Sequence, residues 1–216
     1  MAEYIVKQGD YLSKIAANYG FRDYRIIWNH PQNADLKKKR QNPNVLYPGD
    51  VLFVPDQEMK EIPAATEKLH QYQVQAKPLA LRLELRYASN KPMAGVECEL
   101  QIEGTAYPLT ADGKGRIEHD ISPNAGNGKL KIKHPEITFP EIPLKIGHLD
   151  PVEEVPGWKA RLNNLGYAAG PVDDQETAQL RSAIEEFQCD YFKDVNQVDG
   201  KCGPKTQAKL KEAHGC

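Results

Sequence analysis

The spacing of apolar residues changes twice along this 216-residue chain, and that constrains its folding more than any single motif. Leu12, Ile15, Ala16 and Tyr19 fall on one face at helical spacing. Leu79, Leu81, Leu83 and Leu85 then alternate with Ala80, Arg82, Glu84 and Arg86, and Trp158, Leu162 and Leu165 return to the helical period. Sixteen glycines and sixteen prolines are spread through the chain. The expectation is a multidomain α+β protein of several small units joined by turns. A hydrophobic content of 40% is enough for such units to bury real cores.

In the first unit, residues 1–56, Tyr4, Ile5 and Val6 suit a short strand that Gly9-Asp10 turns into a helix. Asp10 is the expected cap and Gly20 the left-handed stop. Asp23 is placed to cap a second helix bearing Ile27 and Trp28, and Pro48-Gly49-Asp50 delivers Val51, Leu52, Phe53 and Val54 to a second strand. Strand, helix, helix, strand is the expected order. The landmarks Gly9, Asp10, Leu12, Ile15, Gly20, Trp28, Asn29, Tyr47, Pro48, Gly49, Asp50, Val54 and Pro55, in that order, resemble the LysM module.

The resemblance implies a βααβ fold that binds N-acetylglucosamine-containing glycans, peptidoglycan or chitin, between two loops. One loop is Gly9, Asp10, Tyr11 and Leu12; the other is Leu46, Tyr47, Pro48 and Gly49, with Asn29 and His30 nearby. Backbone amides and carbonyls suit an acetamide, and an apolar or aromatic wall suits a sugar face. Two departures stand out. Tyr11 replaces the usual small hydroxyl residue, and 30–45 is longer than the family pattern, with the basic run Lys37, Lys38, Lys39, Arg40 reading as solvated surface.

Residues 57–77 read as a polar linker with room for a short helix over 64–70. Within 78–148, period-two runs at 79–85, 96–102, 107–109, 117–121, 130–132 and 142–146, separated by turns such as Glu103-Gly104 and Ala111-Asp112-Gly113-Lys114-Gly115, predict an antiparallel β-sandwich, Ig-like in the broad sense. Alternation accounts for His119, His134 and His148 without a metal or catalytic role. The pattern is similar to spacer domains in proteins encoded near type VI secretion spike components.

The last unit, 149–216, predicts three short helices packed as a bundle. Gly166 closes the first, Asp173 and Asp174 cap the second, and Pro204 opens the third. Arg161 to Tyr167, then Ala183, Ile184, Phe187 and Gln188, then Val198, Asp199, Gly200, Pro204, Thr206 and Leu210 resemble the three-helix peptidoglycan-binding domain family. Departures are the insert 191–197 and Cys202-Gly203. With Leu162, Leu165, Ile184, Phe187 and Leu210 assigned to the core, Arg161, Asn163, Asn164, Tyr167, Gln188 and Asp199 are left as surface contacts. Eight cationic residues face twelve acidic ones in this unit, so binding here has to come from shape and hydrogen bonds.

The whole chain has a net charge of −2, which gives no pull toward nucleic acid. It begins without a basic segment followed by an apolar run, and it has no apolar stretch of about 18 residues. The expectation is synthesis in the cytoplasm without a signal peptide and no membrane insertion. Since a wall glycan lies outside, delivery would then need a dedicated machine. Cys98, Cys189, Cys202 and Cys216 form no disulfide framework, and a bridge among the last three stays open. The spacing of Cys189, Cys202, His214 and Cys216 does not support a zinc site, and no cofactor is expected. Nor does any paired-carboxylate or Cys-His arrangement indicate a wall-cutting enzyme.

The reading is a non-catalytic peptidoglycan-binding protein. Its arrangement resembles accessory proteins of contractile injection or type VI secretion systems, which implies a spike or effector partner. The competing classes are an interaction scaffold whose modules bind proteins and, third, a wall-lytic enzyme.

Overall fold

The computed structural model describes residues 2–57, 63–71, 79–135, 137 and 141–216. Part of the 57–77 linker lies outside them. Helices and strands are both present, and the chain is α+β. Three buried clusters divide it into three units, each with its own core.

In the first unit, β1 (Ala2–Ile5) and β2 (Val51–Val54) pair antiparallel, with Ile5 opposite Val51 and Glu3 opposite Phe53. Helix α1 (Leu12–Asn18) buries Leu12, Ile15 and Ala16 against Leu52 and Val54, as the helical spacing predicts. Gly20, at φ +76°, ends it by the expected left-handed stop, with the amides of Gly20 and Phe21 returning to Ala17 and Ala16. Asp10 does not cap α1. Its carboxylate accepts instead from the Tyr4 hydroxyl (2.6 Å) and the Lys7 amide (2.9 Å), so it ties the loop to β1.

Helix α2 (Arg25–Trp28) follows Asp23, whose carboxylate accepts from the Arg25 amide. The long 30–45 stretch adds an element to the expected order: a 3-10 turn (Pro31–Asn33) leads into α3 (Ala34–Arg40). Buried Asn33 fixes that addition. Its amide nitrogen donates to the carbonyls of Ile27 and Phe53, and its oxygen accepts from the Phe53 amide, all at 2.8 Å, so β2 holds the turn as a neighbouring strand would.

No helix forms over 64–70; a turn at Thr66 and Glu67 stands there. Beyond it lie six strands, β3 (Leu79–Glu84), β4 (Glu97–Ile102), β5 (Thr105–Thr110), β6 (Arg116–Ile121), β7 (Asn127–Lys133) and β8 (Glu141–Lys145). β3 pairs with β6, and a four-stranded antiparallel sheet runs β5-β4-β7-β8. Cys98, Leu100 and Ile102 from β4, Leu130 and Ile132 from β7, and Ile117 and Ile121 from β6 share one core. Period-two alternation put each of these on the buried face.

Helices α4 (Val155–Asn164), α5 (Ala178–Tyr191) and α6 (Pro204–His214) make the last unit around Leu162, Leu180, Ile184, Phe187 and Leu210. Thr177 caps α5, its hydroxyl accepting from the Leu180 amide at 3.1 Å. Asp173, expected as the cap, takes the ammonium of buried Lys159 at 2.5 Å instead.

Candidate glycan-binding faces

At the N-terminal unit the second loop is built on Asp50. Burial alone would raise this carboxyl. The Arg40 guanidinium, donating from two nitrogens at 2.7 and 3.0 Å, and the Tyr47 amide at 3.0 Å outweigh burial and hold it below its ordinary value. Asp50 thereby shapes the turn, and Gly49, at φ +92° with open space around it, brings the chain back to pair with Val6. Tyr47 and Pro48 are half-buried, Gly49 is exposed and Leu46 is core. Burial raises the Tyr47 phenol, helped by Asp174, Glu154 and Asp150 of the last unit. The second loop therefore looks onto an acidic neighbour.

The first loop lies differently. Gly9, Tyr11 and Leu12 are buried and Asp10 half-buried. Leu12's amide donates to Pro43 and Ser13's hydroxyl to Asn44, which closes the first loop onto the approach to the second. Tyr11 points out of its own unit: its hydroxyl donates to the carbonyls of Pro123 (2.7 Å) and Ala125 (3.0 Å). Burial pushes that phenol up to about 12. Asn29 is exposed and holds Lys37, while the His30 ring lies 4.5 Å from that of Phe53, toward the far end of β2.

Among the C-terminal residues expected at the surface, Arg161 and Gln188 are interior, each 1% exposed. Arg161 donates to the carbonyls of Asp150 (2.7 Å), Gly157 (2.9 Å) and Cys216 (2.9 Å), joining both ends of the unit. Gln188 organises the 198–201 turn. Its oxygen accepts from the amides of Asp199 and Gly200, and its nitrogen donates to Asp199, the Lys201 carbonyl and Thr206. A buried amide must satisfy all its donors and acceptors, and here the fold itself does so. Asn163 is exposed and clasps the 169–170 backbone, Asn164 is exposed beside His214, and Asp199 is exposed against Gln188.

Tyr167 lines an open depression. A surface groove of about 530 Å³ on α5 is bounded by Tyr167, Ser182, Glu185, Glu186, Cys189 and Asp190, with the Tyr167 hydroxyl donating to Asp190 at 2.7 Å. Between the first and last units, a cavity of about 20 Å³ is lined by Arg40, Val45, Val152, Arg161, Lys211 and Cys216. It has room for little more than a water.

Sequence reasoning missed the residues that join the units: Gln8, Arg40, Pro123, Ala125, Gly147, His148 and Glu154. Tyr11 itself was the available signal, a large side chain where a small hydroxyl is usual. Among the described residues, no group of three or more His, Cys, Asp or Glu side chains could hold a metal, and no helix is long and apolar enough to cross a membrane. The Cys202 thiol is buried and pushed up to about 12 by desolvation, which leaves it unreactive.

Two family models match the chain. The LysM domain model covers residues 4–25, and a model described as a putative peptidoglycan binding domain covers residues 152–210. Nothing among the curated proteins or the solved structures matches. The two domains support peptidoglycan binding, and neither carries a link to a contractile injection or type VI secretion machine.

Proposed function

We propose that the protein binds peptidoglycan without cutting it, contacting N-acetylglucosamine-containing strands through the loop at Tyr47, Pro48 and Gly49 and through the Tyr167 groove, with the sheets as a β-sandwich spacer between a LysM module and a three-helix bundle. The observation that carries this is the pair of matches to wall-binding domains at opposite ends of one chain. At the N-terminal end, a half-buried aromatic ring beside a turn of exposed backbone suits the apolar face and acetamide of such a sugar.

Co-sedimentation with insoluble peptidoglycan tests the reading. The whole chain is expected in the pellet, and Tyr47→Ala is expected to bind about five- to thirtyfold more weakly, since losing one stacked ring is worth about 1–2 kcal/mol. An undiminished Tyr47→Ala pellet would remove that loop from the site. Clearing of a turbid suspension of sacculi by the purified protein would show a lytic enzyme.

The alternative is an interaction scaffold whose modules bind proteins; Tyr11 of the first loop is already spent on a contact within the chain, which leaves that loop less open to a sugar. If nothing pellets, protein partners are the alternative. Delivery by a secretion machine is supported by the resemblance of the module order to secretion accessory proteins, together with the expectation from the sequence of synthesis without a signal peptide. Purification from the native host without any spike or effector component would count against it.

A further inference from the structure

Tyr11 opens α1 in the loop the LysM resemblance assigns to sugar, yet it is 2% exposed and bonded to the segment between β6 and β7. The ring fits because residue 147 has no side chain. A Cβ there would stand 2.3 Å from the Tyr11 ring and 3.0 Å from the Gly9 carbonyl oxygen. Gly9 answers from the other side, where a Cβ would meet the His148 imidazole at 2.8 Å. Two glycines, each leaving room for the other's neighbour, describe a fitted joint. Two contacts to the last unit lie beside it: the Gln8 amide reaches the Asp150 carboxylate at 3.5 Å, and Arg40 pairs with Glu154 at 3.6 Å.

We propose that the two-sheet unit is a cover for the first glycan loop, and that the chain rests in a closed form in which a sugar meets only the second loop. Full binding requires release of residues 8–12 from the 123–125 and 147–148 segments. This rests on the peptidoglycan reading above and adds regulation to it. Tyr11 then has a reason to be large: it is the strut that a small hydroxyl residue at this position would be too short to form. Binding to a form present only as a fraction is weakened by that fraction, so opening the joint tightens it by the same factor.

The test uses the full chain and two variants. Gly147→Ala places a methyl group against the Tyr11 ring, at a φ of +78° that disfavours any side chain. Tyr11→Phe leaves the sheets untouched and removes both hydrogen bonds to the Pro123 and Ala125 carbonyls. Hydrogen exchange at the amides of residues 8–12 reads release without ligand, and co-sedimentation with insoluble peptidoglycan reads binding. Faster exchange together with about tenfold tighter binding in both variants is the expected result. If exchange rises while binding is unchanged or weaker, the cover does not control the site and the proposal is wrong, although the peptidoglycan reading survives. Exchange that rises in neither variant also overturns it, because the loop is then not held by this joint. Should neither wild type nor the released variants pellet, the peptidoglycan reading itself fails and the cover falls with it.

Discussion

Asp50 is 6% exposed, and four donors from three residues surround its carboxylate. Lys39 is one of them, at 3.5 Å and largely solvated, and exposed pairs of that kind contribute little. Arg40 is the partner that counts, since both of its groups are buried and its fork meets the carboxylate from two nitrogens. Removing one member of a buried pair strands the other charge, at a cost of about 3–5 kcal/mol. Arg40→Ala is therefore expected to destabilise the N-terminal unit by that amount. Urea unfolding followed by Trp28 fluorescence, in a Trp158→Phe background, measures it. A loss below about 1 kcal/mol would mean that water reaches Asp50 in the variant. Arg161 and Gln188 belong to the same argument. Their residue types suit a ligand surface as well as an interior, and only the carbonyls around them decide between the two.

At the scale of elements, periodicity carried through, as did the Gly20 stop, while two of the carboxylate caps did not. The alternations at 79–85 and 117–121 became β3 and β6 because one sheet face meets a core, and a two-residue period has no other use for that many leucines and isoleucines. Caps at Asp10 and Asp173 went astray for one reason: a carboxylate beside a helix start goes to the strongest donor within reach. Those donors were Tyr4 and Lys159, six and fourteen residues away. Helix α3 was hidden because the Asn33 contacts that hold its approach come from β2, twenty residues on. Its basic run divides along the helix, with Lys37, Lys38 and Lys39 exposed and Arg40 buried. Replacing all three lysines by glutamine is expected to shift stability by no more than about 1.5 kcal/mol, about 0.5 kcal/mol for each surface position. The same urea titration as for Arg40→Ala checks this. A triple variant as damaged as Arg40→Ala would make the helix, not the ion pair, the source of stability.

For the whole molecule, the sequence periods point to three cores and three buried clusters are present, but nothing in those periods pointed to the joint between them. Tyr11 and Pro123 lie 112 residues apart, and no local pattern links a tyrosine hydroxyl to a distant carbonyl. His148 offers a way to measure the joint. Burial against Gly9 is the chief reason its imidazole is held below the ordinary value of 6.5; Lys145 and Lys14 add to this, and Asp150 opposes it. The docked form thus prefers the neutral ring, while the released form protonates near 6.5. Docking is consequently favoured in full above that value and weakens as pH falls below it, until the docked ring also takes up its proton. Between pH 7.5 and 5.5, exchange at residues 8–12, corrected for its intrinsic pH dependence, is expected to gain relative to the core amides of β4 and β7. In His148→Gln that gain should vanish, because glutamine cannot titrate. A gain that persists would move the sensor to another group at the joint; Asp150 would act in the opposite sense, because burial raises its carboxyl and a raised carboxyl favours docking as pH falls. A flat profile in the wild type would instead mean that protonated His148 is accommodated where it stands, with Asp150 as its counter-charge.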